Sequence, residues 1–191
     1  PTIWRGPMVS RMTQQFFDNV DWGELDYLIV DLPPGTGDIQ LTLVQKIYLT
    51  GAIIVTTPQD LSLVDVRKGS DMFNKVNVPV LGVVENMSNY CLEGSIKGLD
   101  NYKDIEIIIN NQKINSIDDS GNFNISLEIF KGIGGQSESS RLDVPLIGKL
   151  NIDSNLSISG DNGLPYVLNY SQTYNSNEFS SIAQQISQND S

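Results

Sequence analysis

Acidic side chains outnumber basic ones in this chain of 191 residues: 23 Asp and Glu against 12 Lys and Arg give a net charge of −11. That charge argues against a nucleic-acid partner and against an anionic membrane surface, since both attract basic faces. No apolar run reaches the roughly 20 residues that a transmembrane helix needs. With one cysteine and no secretory signal at its start, the chain is expected to lack an internal disulfide and to be cytoplasmic.

The first 90 residues alternate between helical and strand patterns. Short apolar runs predict strands at 27–31, 52–57 and 78–86, and helical spacing predicts helices at 9–19, 39–49 and 60–76. In the third helix, Asp60 is the expected N-cap, and Leu61, Val64 and Met72 have the spacing of one face. This order predicts a three-layer α/β fold with a mostly parallel sheet and right-handed crossovers.

The second half begins with a different pattern. Residues 105–130 alternate in polarity around Asn110-Asn111 and Asp119-Ser120-Gly121, which predicts a β-hairpin or a small meander. The α/β pattern then resumes, with a helix at 137–142, a strand at 144–150 and a final helix at 177–187. The chain is therefore expected to be one domain interrupted by a hairpin.

The end of the first predicted strand is the first candidate site. Ligands bind beyond the carboxyl ends of strands in open α/β sheets, and Asp31 stands at such an end. The prolines and glycines of residues 33–37 cannot continue a strand, and Asp38 is placed to cap the next helix. An ordinary turn with an acid beside it remains the alternative.

Three motifs, VDLPPGTGD at 30–38, TTPQDLSLVDVRKG at 56–69 and GVVENMS at 82–88, occur in this order. With them, the sequence resembles the Mrp/ApbC family of iron–sulfur carrier ATPases, in the MinD/ParA branch of the P-loop NTPases. The resemblance runs from about Thr2 to Tyr90 and returns at 129–150 and 159–167. It implies a P-loop NTPase sheet, ATP and Mg²⁺ as cofactors, a homodimer, and transfer of an iron–sulfur cluster to apo-proteins.

The resemblance also assigns roles to particular residues. It implies that Asp31 holds Mg²⁺ and that Asn86 reads the adenine edge. It also implies that five further residues lie near the nucleotide: Gly35, Thr36, Gly37, Pro58 and Gln59. The three from Gly35 to Gly37 would form the switch near the γ-phosphate, where small residues permit close backbone approach. Ordinary turn, loop or strand-closing roles remain open for all of them.

The phosphate loop of that family is missing from this sequence. No G-x-x-x-x-G-K-[ST] pattern occurs, so residues 1–191 are expected to be a partial NTPase domain whose phosphate loop lies upstream. The fragment alone is then expected to bind ATP weakly or not at all and to be inactive. The glycine-rich stretch at 131–136 does not match the pattern and is interpreted as a family loop near the cluster region.

The cysteine pair of the family is also changed. A C-x-x-C pair after the third strand would bind a cluster shared between two subunits, but here Cys91 is followed by Gly94 at the second position, and residues 92–128 are inserted. Two chains would supply two of the four thiolates, and carboxylates such as Glu93 are poorer iron–sulfur ligands. An inert thiol is the alternative for Cys91. Asn151 stands where family members usually have proline.

Three hypotheses follow for the function. The leading one is an ATP-dependent iron–sulfur cluster carrier that uses Cys91 as a metal ligand. The second is a nucleotide-switched interaction module, similar to MinD/ParA proteins, that binds a partner through its hairpin and carries no cluster. The third is an inactive truncated product.

Overall fold

The computed structural model describes residues 11, 14–32, 38–98, 102, 105–109, 111–114 and 117–188, which form both helices and strands. The helices are α1 (Asp38–Lys46), α2 (Asp60–Lys75), α3 (Gly134–Leu142), α4 (Ser154–Asp161), α5 (Tyr166–Asn169) and α6 (Tyr174–Gln188). The strands are β1 (Ala52–Thr56), β2 (Val80–Glu85), β3 (Tyr90–Ser95), β4 (Ile107–Ile109), β5 (Gln112–Ile114), β6 (Asn122–Leu127) and β7 (Leu146–Lys149). Residues 14–18 are also helical.

Three parallel strands form a sheet in the order β1-β2-β7. The central strand is β2, in which Val83 pairs with Ile54 of β1 on one side and with Leu146 of β7 on the other. Each connection from one of these strands to the next contains a helix, as parallel neighbours require. The predicted α/β fold with a parallel sheet is confirmed, and the strands predicted at 52–57, 78–86 and 144–150 are present.

Helices pack on both faces of this sheet. Val83 is fully buried in a cluster with Val44 of α1 and Phe73 of α2, whereas Val84 lies in a second cluster with Ile182 of α6. Successive strand residues point to opposite faces, so α1 and α2 cover one face and α6 covers the other. Burial of each such side chain contributes about 1.5–3 kcal/mol to folding. The predicted three-layer packing is therefore present.

Two antiparallel strand pairs lie between β2 and α3. β3 pairs with β6, with Cys91 opposite Ser126 and Gly94 opposite Phe123, and β4 pairs with β5. Asn111, in the turn between β4 and β5, has a φ of +62°, a left-handed conformation that asparagine tolerates better than most residues. The predicted β-hairpin character is confirmed, while 92–128 as the bounds of an insertion stays a prediction.

The strand predicted at 27–31 is not formed. The structure describes residues 27–32 and assigns them to neither a strand nor a helix, and Ile29 is 90% exposed. An apolar run becomes a strand only where a neighbour supplies backbone hydrogen bonds, and among the described residues the sheet does not extend beyond β1. The prediction rested on apolar composition alone and was wrong here.

Helix α2 buries only part of the predicted face, since Met72 is buried as expected and Leu61 and Val64 are not. Leu61 and Val64 are 82% and 55% exposed, while Leu63, Met72 and Phe73 are buried. Asp60 is the first helical residue rather than the N-cap, which is Gln59, and the Gln59 side chain makes no capping hydrogen bond. Spacing alone could not separate the two faces, because both carry apolar residues.

The remaining helix predictions have mixed outcomes. Those at 39–49, 137–142 and 177–187 correspond to α1, α3 and α6, whereas α4 and α5 were not predicted. Of the helix predicted at 9–19, residues 11 and 14–18 are helical, and residues 9, 10, 12 and 13 lie outside the described part. Asp38 begins α1, but its side chain is not described, so its predicted capping role stays untested.

Candidate functional site at the carboxyl edge of the sheet

The carboxyl ends of β1, β2 and β7 meet at one edge of the sheet because the three strands run in the same direction. We call this the carboxyl edge. Pro58 and Gln59 follow β1, Asn86 follows β2, and Asn151 lies two positions beyond β7. The backbone N–H of Asn86 donates to the carbonyl of Thr56 at 2.7 Å, which joins the first two strand ends. Ligands of open α/β sheets bind at such an edge.

Residues 131–135, the glycine loop, pack directly on the end of β1. The N–H of Gly134 donates to the Pro58 carbonyl at 2.9 Å. A Cβ at Gly132 would lie 2.0 Å from the Pro58 oxygen, and one at Gly134 would lie 2.2 Å from the Thr57 oxygen. Gly132 also has a φ of +144°, which side chains disfavour. Close approach to this backbone therefore requires glycine at both positions.

A buried carboxylate, that of Glu85, fixes the other side of the glycine loop. Glu85 is 3% exposed at the end of β2, and its Oε2 accepts a hydrogen bond from the N–H of Gly135 at 2.8 Å. Its Oε1 accepts from the Ser88 hydroxyl at 3.2 Å and lies 3.1 Å from Nζ of Lys149. Gly135 lies in the first turn of α3, where unpaired N–H groups favour a negative charge. Glu85 therefore caps α3 from a neighbouring strand.

A second buried carboxylate, that of Glu138, joins α3 to α2. Its side chain is fully buried and accepts hydrogen bonds from Ser70 at 2.8 Å and from Arg141 at 2.7 and 2.9 Å. Burial raises the pKa of Glu138, but the hydrogen bonds from Arg141 and Ser70 outweigh it, and the pKa lies below its ordinary value. Arg141 also pairs with Asp71 at 3.0 Å, and its pKa is raised, first by the hydrogen bond to Glu138. This network holds the helix that follows the glycine loop.

Neither buried acid was identified from the sequence. Glu85 directly follows the apolar run of β2, and an acid inside a buried strand was the available signal. Glu138 carries no such signal, because its partner Ser70 lies 68 positions away in the chain and Arg141 is a common helix neighbour.

The predicted nucleotide contacts lie together at the carboxyl edge but differ in accessibility. Pro58 is buried, and its carbonyl is occupied by Gly134. Gln59 is exposed at the start of α2. Asn86 is half-buried, and its Oδ1 accepts a hydrogen bond from the N–H of Met87 at 2.9 Å, which fixes the side-chain amide. An amide oxygen can accept a second hydrogen bond and the amide nitrogen donates two, so Asn86 keeps the groups needed to pair with a base.

The predicted phosphate-side residues are only partly described. Gly35, Thr36 and Gly37 lie outside the described residues. Asp31 is described: it is exposed and belongs to no strand, so the prediction that it ends a sheet strand was wrong. Its carboxylate is accessible, as an oxygen ligand of a hydrated Mg²⁺ would need to be. Its role as a Mg²⁺ ligand stays a prediction.

Cys91 lies on the other side of the carboxyl edge, beyond β7. It is exposed on β3, whose residue Tyr90 forms a parallel bridge with Ile152. The side-chain Nδ2 of Asn151 donates to the Cys91 sulfur at 3.4 Å. The backbone of Asn151 is held by Asn175 of α6, which accepts from its N–H at 2.8 Å and donates to its carbonyl at 3.0 Å. The thiol thus stands beside a fixed strand end, whereas the glycine loop packs on β1 and β2.

The residues around Cys91 do not fit a cluster held by a C-x-x-C pair. Position 94 is Gly94, packed against Phe123, and within the described part of the chain no group of three or more His, Cys, Asp or Glu side chains could hold a metal ion. The described helices also include none long and apolar enough to cross a membrane.

The fold is that of solved α/β proteins with a parallel sheet. A nucleotide-binding protein from Archaeoglobus fulgidus, solved with ADP and with cobalt found in it, superimposes with a TM-score of 0.57 at 29% identity, over 88% of this chain and 60% of that one. The cell division ATPase MinD of Pyrococcus furiosus gives the same TM-score at 16% identity over 96% of this chain and 59% of that one, a likeness of fold alone.

The family follows from the sequence match. A family model described as ParA, NUBPL iron-transfer P-loop NTPase, matches residues 1–104, more than half of the chain. The chain therefore belongs to this family, and the resemblance drawn from the three motifs is confirmed.

Curated relatives agree with this membership. An iron–sulfur cluster carrier protein of Synechocystis is 40% identical over 97% of this chain and 45% of its own length. The iron–sulfur cluster transfer protein NUBPL of Mus musculus is 59% identical over 46% of this chain and 28% of its own length. The chain spans about half the length, or less, of these relatives.

Proposed function

We propose that the intact protein binds and hydrolyses ATP and uses the cycle to transfer an iron–sulfur cluster to apo-proteins in the cytoplasm, as a homodimer. The observation that carries this proposal is the carboxyl edge, which has Gln59 and Asn86 on one side and the exposed thiol of Cys91 on the other. One sheet edge thus offers a base-reading amide and a soft sulfur ligand. The names of the relatives support the same assignment.

Each residue has a defined task in this proposal. Asn86 pairs with the adenine edge through its side-chain amide, held in place by Met87. Gln59 and the backbone near Pro58 flank the nucleotide, and the glycine loop fixes that backbone through Gly134. Asp31 provides a carboxylate for Mg²⁺, which neutralises phosphate charge when bound.

Hydrolysis then depends on position and charge, with no covalent intermediate. A positioned water attacks the γ-phosphate directly in this proposal. Gly35, Thr36 and Gly37 are proposed to place that water through their backbone. The phosphate loop is supplied by the part of the protein that corresponds to the remaining length of the relatives.

ATP hydrolysis by the full-length protein tests the nucleotide half of the proposal. Asp31→Ala should lower kcat about 100-fold, the order of loss when one electrostatic contact to the transition state is removed. Asp65→Ala is the matched control, because Asp65 is an exposed acid of α2 paired only with Lys68 among the described side chains. Asn86→Ala should raise KM for ATP about tenfold and reduce the preference for ATP over GTP. Equal kinetics for Asp31→Ala and Asp65→Ala would reject this role of Asp31.

A second candidate is the nucleotide-switched interaction module without a cluster. The observation in its favour is the two antiparallel strand pairs between β2 and α3, which offer a surface for a partner. Anaerobic reconstitution with iron and sulfide separates the two functions. A carrier should lose its cluster on Cys91→Ala, whereas an interaction module should take up little iron in either form and still hydrolyse ATP. A product with neither property would be the inactive one.

A further inference from the structure

Residues 86–88, which we call the β2 turn, leave the sheet at the carboxyl edge and are fixed at both ends. The N–H of Asn86 donates to the Thr56 carbonyl of β1 at 2.7 Å. The N–H of Ser88 donates to the Leu150 carbonyl, directly after β7, at 2.9 Å. The β2 turn is therefore tied to the strands on both sides of β2.

The side chain of Ser88 closes the β2 turn back onto the strand that it leaves. Ser88 is 5% exposed, and its hydroxyl donates to the carbonyl oxygen of Glu85 at 3.0 Å and to Oε1 of Glu85 at 3.2 Å. A buried hydroxyl that loses its partners costs free energy. These two contacts therefore favour the observed turn over other conformations of residues 86–88.

Met87, in the middle of the β2 turn, has an unusual backbone conformation. Its φ of +58° is left-handed, which residues other than glycine and asparagine disfavour. A residue keeps such a conformation only where its surroundings hold it. Here the hydrogen bonds of Asn86 on one side and of Ser88 on the other supply that hold. A disfavoured backbone is thus maintained directly beside the residue that is proposed to bind the base.

The β2 turn also fixes the orientation of the Asn86 amide. Its Oδ1 accepts the N–H of Met87, and an amide turned by half a rotation would bring its NH₂ group against that N–H. The amide thus presents its Nδ2 hydrogens and one remaining lone pair of Oδ1. Adenine offers an acceptor, N7, beside a donor, the N6 amino group, whereas guanine offers two acceptors, N7 and O6. The fixed amide therefore matches adenine and places an oxygen against an oxygen of guanine.

We infer that Ser88 is a positioning residue: by holding the left-handed turn at Met87, it keeps the Asn86 amide in the orientation that selects adenine over guanine nucleotides. Because Ser88 is buried, it acts through Asn86 rather than by touching the base. The inference rests on the proposed function, since it concerns the base-reading role of Asn86.

Steady-state hydrolysis of ATP and of GTP by the full-length protein tests this role. Ser88→Ala should raise KM for ATP about fivefold and lower the preference for ATP over GTP in kcat/KM about fivefold. Its kcat for ATP should stay within about twofold, because the lost interaction acts on binding. Ser88→Thr keeps the hydroxyl and should restore most of the preference.

Ser139→Ala is the matched control. Ser139 is 6% exposed, and its hydroxyl donates to the Val144 carbonyl at 2.6 Å, before the amino end of β7. This variant also removes a buried hydroxyl that donates to a backbone carbonyl, but it does so at the opposite end of the sheet. It should lower the free energy of unfolding and leave KM and the base preference unchanged.

A comparison at Met87 tests the turn without removing a hydroxyl. Glycine adopts a φ of +58° readily, whereas valine is β-branched and resists it. Met87→Val should therefore lower the preference for ATP about threefold more than Met87→Gly does. This comparison decides the role of the turn if Ser88→Ala fails to fold by circular dichroism. Equal preferences in the two Met87 variants would overturn the inference.

Asn86→Ala separates a failure of the inference from a failure of the proposed function. If Asn86→Ala weakens the preference for ATP and Ser88→Ala behaves like Ser139→Ala, Asn86 reads the base without help from Ser88, and the inference is overturned. If Asn86→Ala changes neither KM nor the preference, the base-reading role fails and the inference fails with it. A preference that is lost in Ser88→Ala and regained in Ser88→Thr supports the positioning role.

Discussion

The Glu85 carboxylate and the Gly135 N–H, fifty positions apart, are joined by a buried hydrogen bond of 2.8 Å. This bond connects the end of the central strand to the first turn of α3, and the same carboxylate pairs with Lys149 of β7. The side chain of Glu85 therefore connects three elements, β2, α3 and β7. It also explains why the glycine loop, which packs on β1, keeps its position above the carboxyl edge.

Removal of this carboxylate should destabilise the protein strongly. Glu85→Ala leaves the Gly135 N–H unpaired in a buried place and should lower the free energy of unfolding by about 2–4 kcal/mol. Glu85→Gln keeps an acceptor and should cost about half as much. Urea unfolding gives both values. Glu128→Ala is the control, since Glu128 is exposed, and should stay within about 0.5 kcal/mol. A similar loss in Glu128→Ala and Glu85→Ala would contradict this account.

Two glycine-to-alanine changes should have opposite effects. Gly134→Ala places a Cβ 2.2 Å from the Thr57 carbonyl oxygen and should lower stability by about 1–3 kcal/mol. Gly69→Ala lies within α2 and meets no atom within 4 Å, so it should raise stability by about 0.5–1 kcal/mol. Thermal unfolding of the two variants checks the difference. Equal shifts in Tm for the two variants would show that the glycine loop does not pack closely against the end of β1.

Acid should weaken the link between α2 and α3. The pKa of Glu138 is lowered in the folded state, so its stabilisation is complete above the unfolded value of 4.5 and is lost as the pH falls through the lower folded value. Glu138→Gln removes this contribution. Urea midpoints measured from about pH 6 to about pH 3 should therefore fall more steeply for the unchanged protein than for the variant. Parallel profiles would reject the role of Glu138.

Asn175 should hold the strand end beside the thiol. Its side chain, 3% exposed, pairs with both backbone groups of Asn151, and Asn175→Ala leaves them unpaired at a cost of about 1–3 kcal/mol. The Cys91 sulfur should then react faster with iodoacetamide, because the side chain of Asn151 is no longer fixed. Asn169→Ala on the exposed part of α5 serves as control. An unchanged alkylation rate in Asn175→Ala would show that Asn151 does not control the reactivity of the Cys91 thiol.

The elements that could be predicted were those whose own residues indicate their structure. β1 and β2 are short strands rich in β-branched residues, and the antiparallel pairs follow alternating polarity and turn residues such as Asn111 and Gly121. Residues 27–31 carry an equally strong apolar run but form no strand, because a strand also depends on a neighbour that the local sequence does not specify. The buried face of α2 was mispredicted because apolar residues lie on both sides of that helix.

The residues of the candidate site were likewise predictable only where their position in the sequence indicated their role. Asn86, Pro58 and Gln59 were expected at one sheet edge from their positions after strands, and they lie there. The capping role of Glu85 and the network of Glu138 depend on partners many positions away, which no short motif contains. The opposed faces of Cys91 and Gly94 could be seen only once residues 90–95 were known to be a strand.

The outer strand of the sheet has a consequence for handling the protein. Ile53 and Val55 of β1 are 37% and 57% exposed, and in the described part of the chain no strand pairs with the outer edge of β1. Such an unpaired edge can form backbone hydrogen bonds with the same edge of another copy. Electrostatic repulsion between molecules of charge −11 opposes this association. Salt near 1 M shortens the range of this repulsion to about 3 Å, so concentrated salt favours aggregation of this chain and dilute buffer favours its colloidal stability.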